Sequence, residues 1–394
     1  MVLAEPDDVE AERVGPLYLV ECGGVELPSW RSKAGGAHVV ADDELHRFAS
    51  AVRPRAQRYP RRRPGQAACV CRPLRGEQRP HLAPLRGDCM KPAMQRRVLG
   101  QTDLAVSELC LGTNHFGTGV ASEAAEEILD RYVSLGGNFL DTAHAYGDWV
   151  PSGPRSASEG VLGRWLSKRE RSGLVVATKG CEFDYRAGDY ALRVTPSQLD
   201  RDLGESLECL GLDRIDLYWL HRDDPSQPVE AIIDALIAQQ RAGRIRHFGC
   251  SNWSVARIEA AQLHARSIGH AGFAACQPMW GLAVPDRAAM QRYSPGGYYE
   301  DGYRALHEGG MAMIPYSGQS RGFFTKLAAG GGAGLGDDVA ALYLSDANRR
   351  KLPVIEKMAT RHRASINDVV LAYLLSQPLP TLPIIGASRP EQLE

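Results

Sequence analysis

The chain has 394 residues, a formal net charge of −1 and 24% charged residues, enough length for one barrel plus an extension. So even a balance gives no overall attraction to nucleic acid or to an anionic lipid surface. No run approaches the ~18 consecutive apolar residues of a membrane-spanning helix.

In chain order, the acidic start MVLAEPDDVEAER lacks the basic head and apolar core of a secretory signal. Residues 1–50 hold four Lys and Arg against ten Asp and Glu, and residues 51–93 hold eleven against two. The pattern at 16–30, PLYLVECGGVELPSW, is that of a short hairpin. Residues 51–93, with RPRAQRYPRRRPG, lack apolar periodicity and cannot bury enough surface to offset their ordering entropy. Residues 1–93 are therefore expected to be a disordered or loosely attached extension, or sequence upstream of the true start. Cys69, Cys71, His81 and Cys89 have the wrong spacing and surroundings for zinc, and no metal is expected. Five of the nine cysteines (Cys110, Cys181, Cys209, Cys250, Cys276) lie later, mostly inside strand-like runs and without a C-x-x-C. Reduced, buried thiols in a cytoplasmic enzyme are the expectation.

From Met94 the chain alternates. Strand-like runs are read at 107–113, 138–143, 174–180, 215–221, 247–252, 273–280, 311–317 and 381–388. Between them lie amphipathic helical runs such as EAAEEILDRYVSLGG, SQLDRDLGESLECLG and VEAIIDALIAQQRAG, each closed by glycine. The strands are near-continuous apolar runs, as in a parallel sheet covered by helices. Eight strand–helix units over 94–394 fit an eight-fold (β/α) barrel. A doubly wound sheet is the alternative, but the G-x-G-x-x-G turn after its first strand is missing.

Active sites of such barrels lie at the carboxyl ends of the strands. The second strand ends on Asp141, the third on Lys179 and the fourth on His221, and Tyr146 follows the second in a loop. Singly, each has a packing or capping explanation. Together they put an acid, an amine, an imidazole and a phenol around one mouth.

This constellation resembles the aldo-keto reductases, from about Met94 to the last residue. FLDTAHAYG at 139–147 is close to that family's signature. SEGVLG at 158–163, ATKG at 177–180, IDLYWLH at 215–221, GCSN at 249–252, QPMW at 277–280 and IIGASRPEQL at 384–393 resemble its other blocks, in order. The resemblance implies NADPH-linked reduction of a small carbonyl substrate without metal, with NADH the poorer coenzyme. It assigns Tyr146 as general acid. Lys179 would lower the phenol's pKa, Asp141 would hold Lys179, and His221 would hydrogen-bond the carbonyl. It places Ser251, Asn252 and Gln277 on the nicotinamide carboxamide and Tyr316 against the ring. Gly112, Thr113 and Ser317 would add coenzyme contacts at strand ends. Gly386, Ser388 and Arg389 would hold phosphate, with Arg389 reading the 2′-phosphate and Gln392 approaching the adenine. Segment 318–345, with GGGAGLGDD, is expected as a long flexible loop clamping the coenzyme.

His115, Trp149 and Trp280, with Phe183, Tyr185 and Trp253, offer a partly aromatic pocket that does not single out one carbonyl substrate. The chain stops at Glu394, in the first turn of what the family pattern makes an eighth helix, so that helix is expected to be truncated. Two other readings remain: a non-catalytic coenzyme-binding barrel serving as sensor or subunit, and a different barrel enzyme such as an isomerase or metal-dependent lyase.

Overall fold

The computed structural model describes residues 94–293 and 297–394. The expectations for residues 1–93, including the hairpin at 16–30, lie outside the described residues.

An antiparallel hairpin, β1 (Arg96–Val98) and β2 (Ala105–Ser107), precedes eight parallel strands. These are β3 (Cys110–Gly112), β4 (Phe139–Asp141), β5 (Val175–Gly180), β6 (Ile215–Leu220), β7 (Ile245–Ser251), β8 (Ala275–Gln277), β9 (Ala312–Met313) and β10 (Ile384–Ile385). They pair in the order β10-β3-β4-β5-β6-β7-β8-β9. The sheet curls shut where Met313 bridges Thr381 and the Leu382 N–H donates to the Met313 carbonyl at 3.0 Å. The Ile384 N–H donates to Pro315 at 2.9 Å beside it. This is the expected (β/α)8 barrel.

The helices are α1 (Ser122–Ser134), α2 (Ala157–Leu166), α3 (Pro196–Leu210), α4 (Val229–Arg241), α5 (Val255–Ser267), α6 (Arg287–Tyr293), α7 (Tyr303–Glu308), α8 (Phe323–Gly330), α9 (Asp337–Tyr343), α10 (Asp346–His362) and α11 (Ile366–Leu375). Local chemistry sets their limits. In α1, Ala125, Ile128, Leu129 and Tyr132 recur at helical spacing and are buried. Thr195 caps α3 by accepting from the Gln198 N–H, Pro196 opens it, and Gly211 closes it in the left-handed region (φ 64°). Ser365 and Asp368 form a capping box on α11. Among the described residues no helix is long and apolar enough to cross a membrane.

Two cores follow from the strand alternation. Cys110, Phe139, Val175, Ala177, Leu217, Trp219, Ala275 and Ile314 fill the barrel interior. Leu99, Leu104 and Val106 of the hairpin join this cluster, so the hairpin packs against the interior from below. The other face, with Leu111, Leu140, Val176, Tyr218 and Leu220, packs under the helices. Gly249 is required inside: a Cβ there would meet the Trp219 ring and the Ala275 carbonyl at 2.5 and 2.6 Å.

The structure departs from expectation in two places. The first strand-like run, 107–113, is broken between β2 and β3, because β2 turns back onto β1. Segment 318–345 is not one open loop. It holds α8 and α9, since Phe323, Phe324, Leu327, Val339, Leu342 and Tyr343 find buried positions.

Candidate active site

The alternation that fills the barrel turns Asp141, Lys179, Ser251 and Gln277 toward the upper interior at four strand ends, and His221 follows β6 directly. Tyr146 comes from the β4–α2 loop. Gly147 takes φ 102° just after it, and a Cβ there would meet the Ala157 Cβ at 2.6 Å, so glycine lets the loop close onto α2.

Lys179 is 1% exposed, as is Asp141. Its Nζ donates to Asp141 Oδ2, to the Thr142 carbonyl at 2.9 Å and to the Tyr146 hydroxyl at 2.9 Å. It also sits 4.6 Å from the Tyr146 ring centre. Gln277 Nε2 donates to Asp141 Oδ1 at 3.0 Å, so both carboxylate oxygens are satisfied. The His221 ring stands edge-on to Tyr146, with centres 5.6 Å apart. The four expected residues therefore meet at one point.

The electrostatics differ from expectation in one respect. Burial raises the Tyr146 pKa above the ordinary phenol value, and the Lys179 charge only partly offsets it. Burial also opposes charge on Lys179, yet Asp141 and Tyr146 outweigh it and hold the ammonium up at about 12. For His221, burial, with Lys179 and Arg222 adding, pushes the imidazole down to about 3. The site thus presents a protonated phenol, a charged ammonium and a neutral imidazole at neutral pH.

Ser251, Asn252, Gln277 and Tyr316 are linked to one another. Ser251 Oγ donates to the Gln277 carbonyl at 2.9 Å, Asn252 Nδ2 donates to Ser251 Oγ at 3.2 Å and to the His221 carbonyl at 3.0 Å, and the Tyr316 hydroxyl donates to Asn252 Oδ1 at 3.0 Å. Asn252 and Ser317 take left-handed backbone (φ 60° and 59°) where β7 and β9 leave the barrel. Gly112 ends β3, and a Cβ there would meet Ile384 at 2.6 Å. Thr113 is fully buried, and its hydroxyl is engaged with Ser158 at 2.7 Å and the Asp141 carbonyl at 3.1 Å, so it is taken up in structure rather than offered to the mouth.

After β10, three donors converge on one oxygen. The Ser388 N–H (2.7 Å), the Ser388 hydroxyl (3.1 Å) and the Arg389 N–H (3.2 Å) all reach Gln392 Oε1. Ser388, Arg389 and Gln392 are exposed there. The Gly386 N–H donates to Gln319 Oε1 at 2.8 Å.

Of the expected pocket residues, Trp149 stands edge-on to Tyr146 at 6.2 Å and to Tyr185 at 6.2 Å. Tyr185 continues to Phe183 and Tyr190 at 6.3 and 6.2 Å. These rings are all half-buried. His115 is exposed. Trp280 and Trp253 do not join the ladder: Trp280 is 4% exposed and stacked on Tyr299 at 3.6 Å, and Trp253 is fully buried against Phe273. Sequence reasoning missed Glu182 and Arg222. The signal was position alone, two residues past β5 and one past His221.

A family model described as Aldo/keto reductase family matches residues 108–394. An oxidoreductase of Bacillus subtilis, "Uncharacterized oxidoreductase YrpG", is 30% identical over 305 residues, covering 76% of this chain and 89% of its own. "Aldo-keto reductase yakc [NADP(+)]" of Schizosaccharomyces pombe is 29% identical over 315 residues, 76% and 84% respectively. The solved structure of a thermostable aldo-keto reductase, Tm1743, superposes with a TM-score of 0.57 at 23% identity, over 76% of this chain and 92% of that one, a likeness of fold.

Proposed function

This chain belongs to the aldo/keto reductase family and is an NAD(P)H-dependent oxidoreductase acting on small carbonyl compounds, and on that premise we propose that Tyr146 is its proton donor and NADPH its coenzyme. The observation that carries the reading is the chain of hydrogen bonds from the buried Asp141 through the buried Lys179 Nζ to the hydroxyl of half-buried Tyr146. Reduction needs a hydride on carbon and a proton on oxygen. The coenzyme, when bound, supplies the hydride.

Tyr146, protonated at neutral pH, gives its proton to the carbonyl oxygen and becomes tyrosinate. Lys179 stabilises that anion, so the phenol is a stronger acid than burial alone would leave it. Asp141 holds the ammonium in place and charged. His221 packs edge-on beside the phenol and shapes the carbonyl's approach. Solvent returns the proton to Tyr146 after release.

Ser251, Asn252 and Gln277 carry amide and hydroxyl groups that match a carboxamide in hydrogen-bonding capacity. NADPH rather than NADH is supported by the donors gathered at Ser388 and Arg389, with an exposed guanidinium beside them. For the substrate, the ring ladder Tyr146–Trp149–Tyr185–Phe183 favours an apolar or aromatic carbonyl. Arginines beside it are already paired: Arg222 with Glu182, Arg186 with Asp148 and Arg155 with Asp184. That pairing disfavours a phosphorylated aldehyde. Tyr146→Phe tests the assignment. NADPH affinity stays near the wild-type value while reduction falls by about 10²–10⁴-fold; full activity in the variant refutes it.

A further inference from the structure

Resting on that reading, we propose that Arg186 is a positioning residue that sets substrate specificity: its guanidinium latches the β5–α3 loop to the β4–α2 loop, and that latch builds the Trp149–Tyr185 wall against which an aromatic carbonyl compound lies.

Between Tyr146 and α2 the chain makes an excursion, 148–156, that carries Trp149. Asp148 closes its base. This residue is 5% exposed, and its Oδ1 accepts from the Ser156 N–H at 3.0 Å, with Ser156 in left-handed backbone (φ 48°) just before α2. Arg186 enters the excursion from the other loop. Its Nε donates to Asp148 Oδ1 at 3.3 Å, one terminal nitrogen donates to the Pro151 carbonyl at 3.3 Å, and the other donates to the Gly153 carbonyl at 2.9 Å. A planar fork with fixed donors suits three such acceptors at once, whereas an ammonium on a flexible stem is a point donor. Arg186 itself stands on a pinned turn. Asp184 Oδ1 accepts from the N–H groups of Arg186 (3.2 Å) and Ala187 (3.1 Å), the Asp189 N–H donates to the Asp184 carbonyl at 3.1 Å, and Gly188 supplies left-handed backbone (φ 63°). A second tie, Arg155 to Asp184 at 4.0 Å, is solvent-exposed and weak.

Tyr185 precedes Arg186 in the chain, and Trp149 follows Asp148. The latch therefore sets the spacing of the two rings, whose centres lie 6.2 Å apart at 90°. Trp149 in turn stands edge-on to Tyr146 at 6.2 Å, so the wall ends at the reacting phenol. Tyr146 is held without Arg186. Its N–H donates to the Ala143 carbonyl at 3.0 Å, its carbonyl accepts from the Ser158 N–H at 3.2 Å, and its hydroxyl accepts from Lys179 at 2.9 Å. Loss of the latch thus loosens the wall and leaves the proton donor in place. Ring-on-ring contact counts for a substrate that offers a ring, and for little with one that does not.

The test compares Arg186→Ala with the wild-type full chain, using NADPH with naphthaldehyde and with propanal. We expect KM for naphthaldehyde to rise about tenfold with kcat unchanged, and both constants for propanal to keep their wild-type values, the pattern of lost binding rather than lost chemistry. Guanidinium ion added to the variant should refill the gap and lower the naphthaldehyde KM again; a KM that does not respond marks a general loss of packing and counts against the latch. Equal losses for both aldehydes, or none for either, overturn the proposal. If Arg186→Ala does not fold, Arg186→Lys, which keeps the charge opposite Asp148 but cannot also hold both carbonyls, serves in the same comparison, and wild-type selectivity there overturns it. Amide hydrogen exchange in 148–156 and 182–190 needs no turnover. It should quicken in both loops together in the variant, and unchanged exchange refutes the latch. A wild-type chain that reduces neither aldehyde refutes the carbonyl-reduction reading instead, and the exchange result still decides the latch.

Discussion

Replacing Lys179 by methionine separates its structural from its chemical role. Its ammonium, 1% exposed, faces Asp141, Thr142 and Tyr146. Removing it leaves the buried Asp141 carboxylate with Gln277 Nε2 at 3.0 Å as its remaining side-chain partner. Breaking a buried pair from one side costs about 3–5 kcal/mol, because the other charge stays desolvated. At roughly 2 °C per kcal/mol for a large domain, Lys179→Met should melt about 6–10 °C lower. The double variant Asp141→Asn/Lys179→Met removes both charges, and its melting temperature should return most of the way, since a buried pair exchanged for neutral groups is often close to neutral in stability. Carbonyl reduction should stay down by at least ~10²-fold in both, because the phenol has lost the cation that stabilises its anion. Thermal melting by circular dichroism and steady-state reduction read the two effects separately. A Lys179→Met protein that melts within a degree of wild type, or a double variant that regains activity, refutes the reasoning.

Arg389→Ala should weaken NADPH far more than NADH in a coenzyme titration; equal weakening of both would show that Arg389 does not read the phosphate. Trp149→Ala should raise KM for aromatic aldehydes more than for short aliphatic ones, and an equal effect on both would remove the ring ladder from substrate binding. For pH, burial holds the folded-state pKa of His221 at about 3, against an unfolded value near 6.5. As pH falls the unfolded chain takes the proton first. This group's contribution to stability is therefore present above about 6.5 and drains away down to about 3, with a slope of up to ~1.4 kcal/mol per pH unit. His221→Asn should flatten the loss of stability in that window, and an unchanged slope in urea melts would count against a neutral, buried ring.

The barrel was legible because its strands are apolar on both faces and its helices carry their own stops, as Thr195, Pro196 and Gly211 do for α3. The site was legible because it falls on strand ends, where one ionisable residue in an apolar run stands out, as Asp141 and Lys179 do. The β1–β2 hairpin escaped notice because three-residue strands, RRV and AVS, carry no usable alternation. Helices α8 and α9 were hidden by the glycines between them, although the apolar residues on either side find buried positions. Trp280 and Trp253 look like pocket walls in sequence, but only the packing of Tyr299 and Phe273 against them reveals that they serve the core. Glu182 could not be read at all, since its meaning is its distance from His221 and Arg222, two residues from another strand's end. The upward pKa of Tyr146 was missed for a similar reason: a neighbouring lysine is visible in sequence, while the depth of burial that outweighs it is not.

The central claim is that this barrel reduces a carbonyl with NADPH through Tyr146. The most direct measurement mixes the full chain with NADPH and a panel of aromatic and aliphatic aldehydes and ketones, and follows the nicotinamide absorbance together with the alcohol formed. The account predicts that NADPH is consumed and alcohol appears one for one, fastest with apolar aromatic aldehydes, and that Tyr146→Phe binds NADPH but scarcely turns over. NADPH binding with no consumption across the whole panel would contradict it and leave a coenzyme-binding barrel without this chemistry.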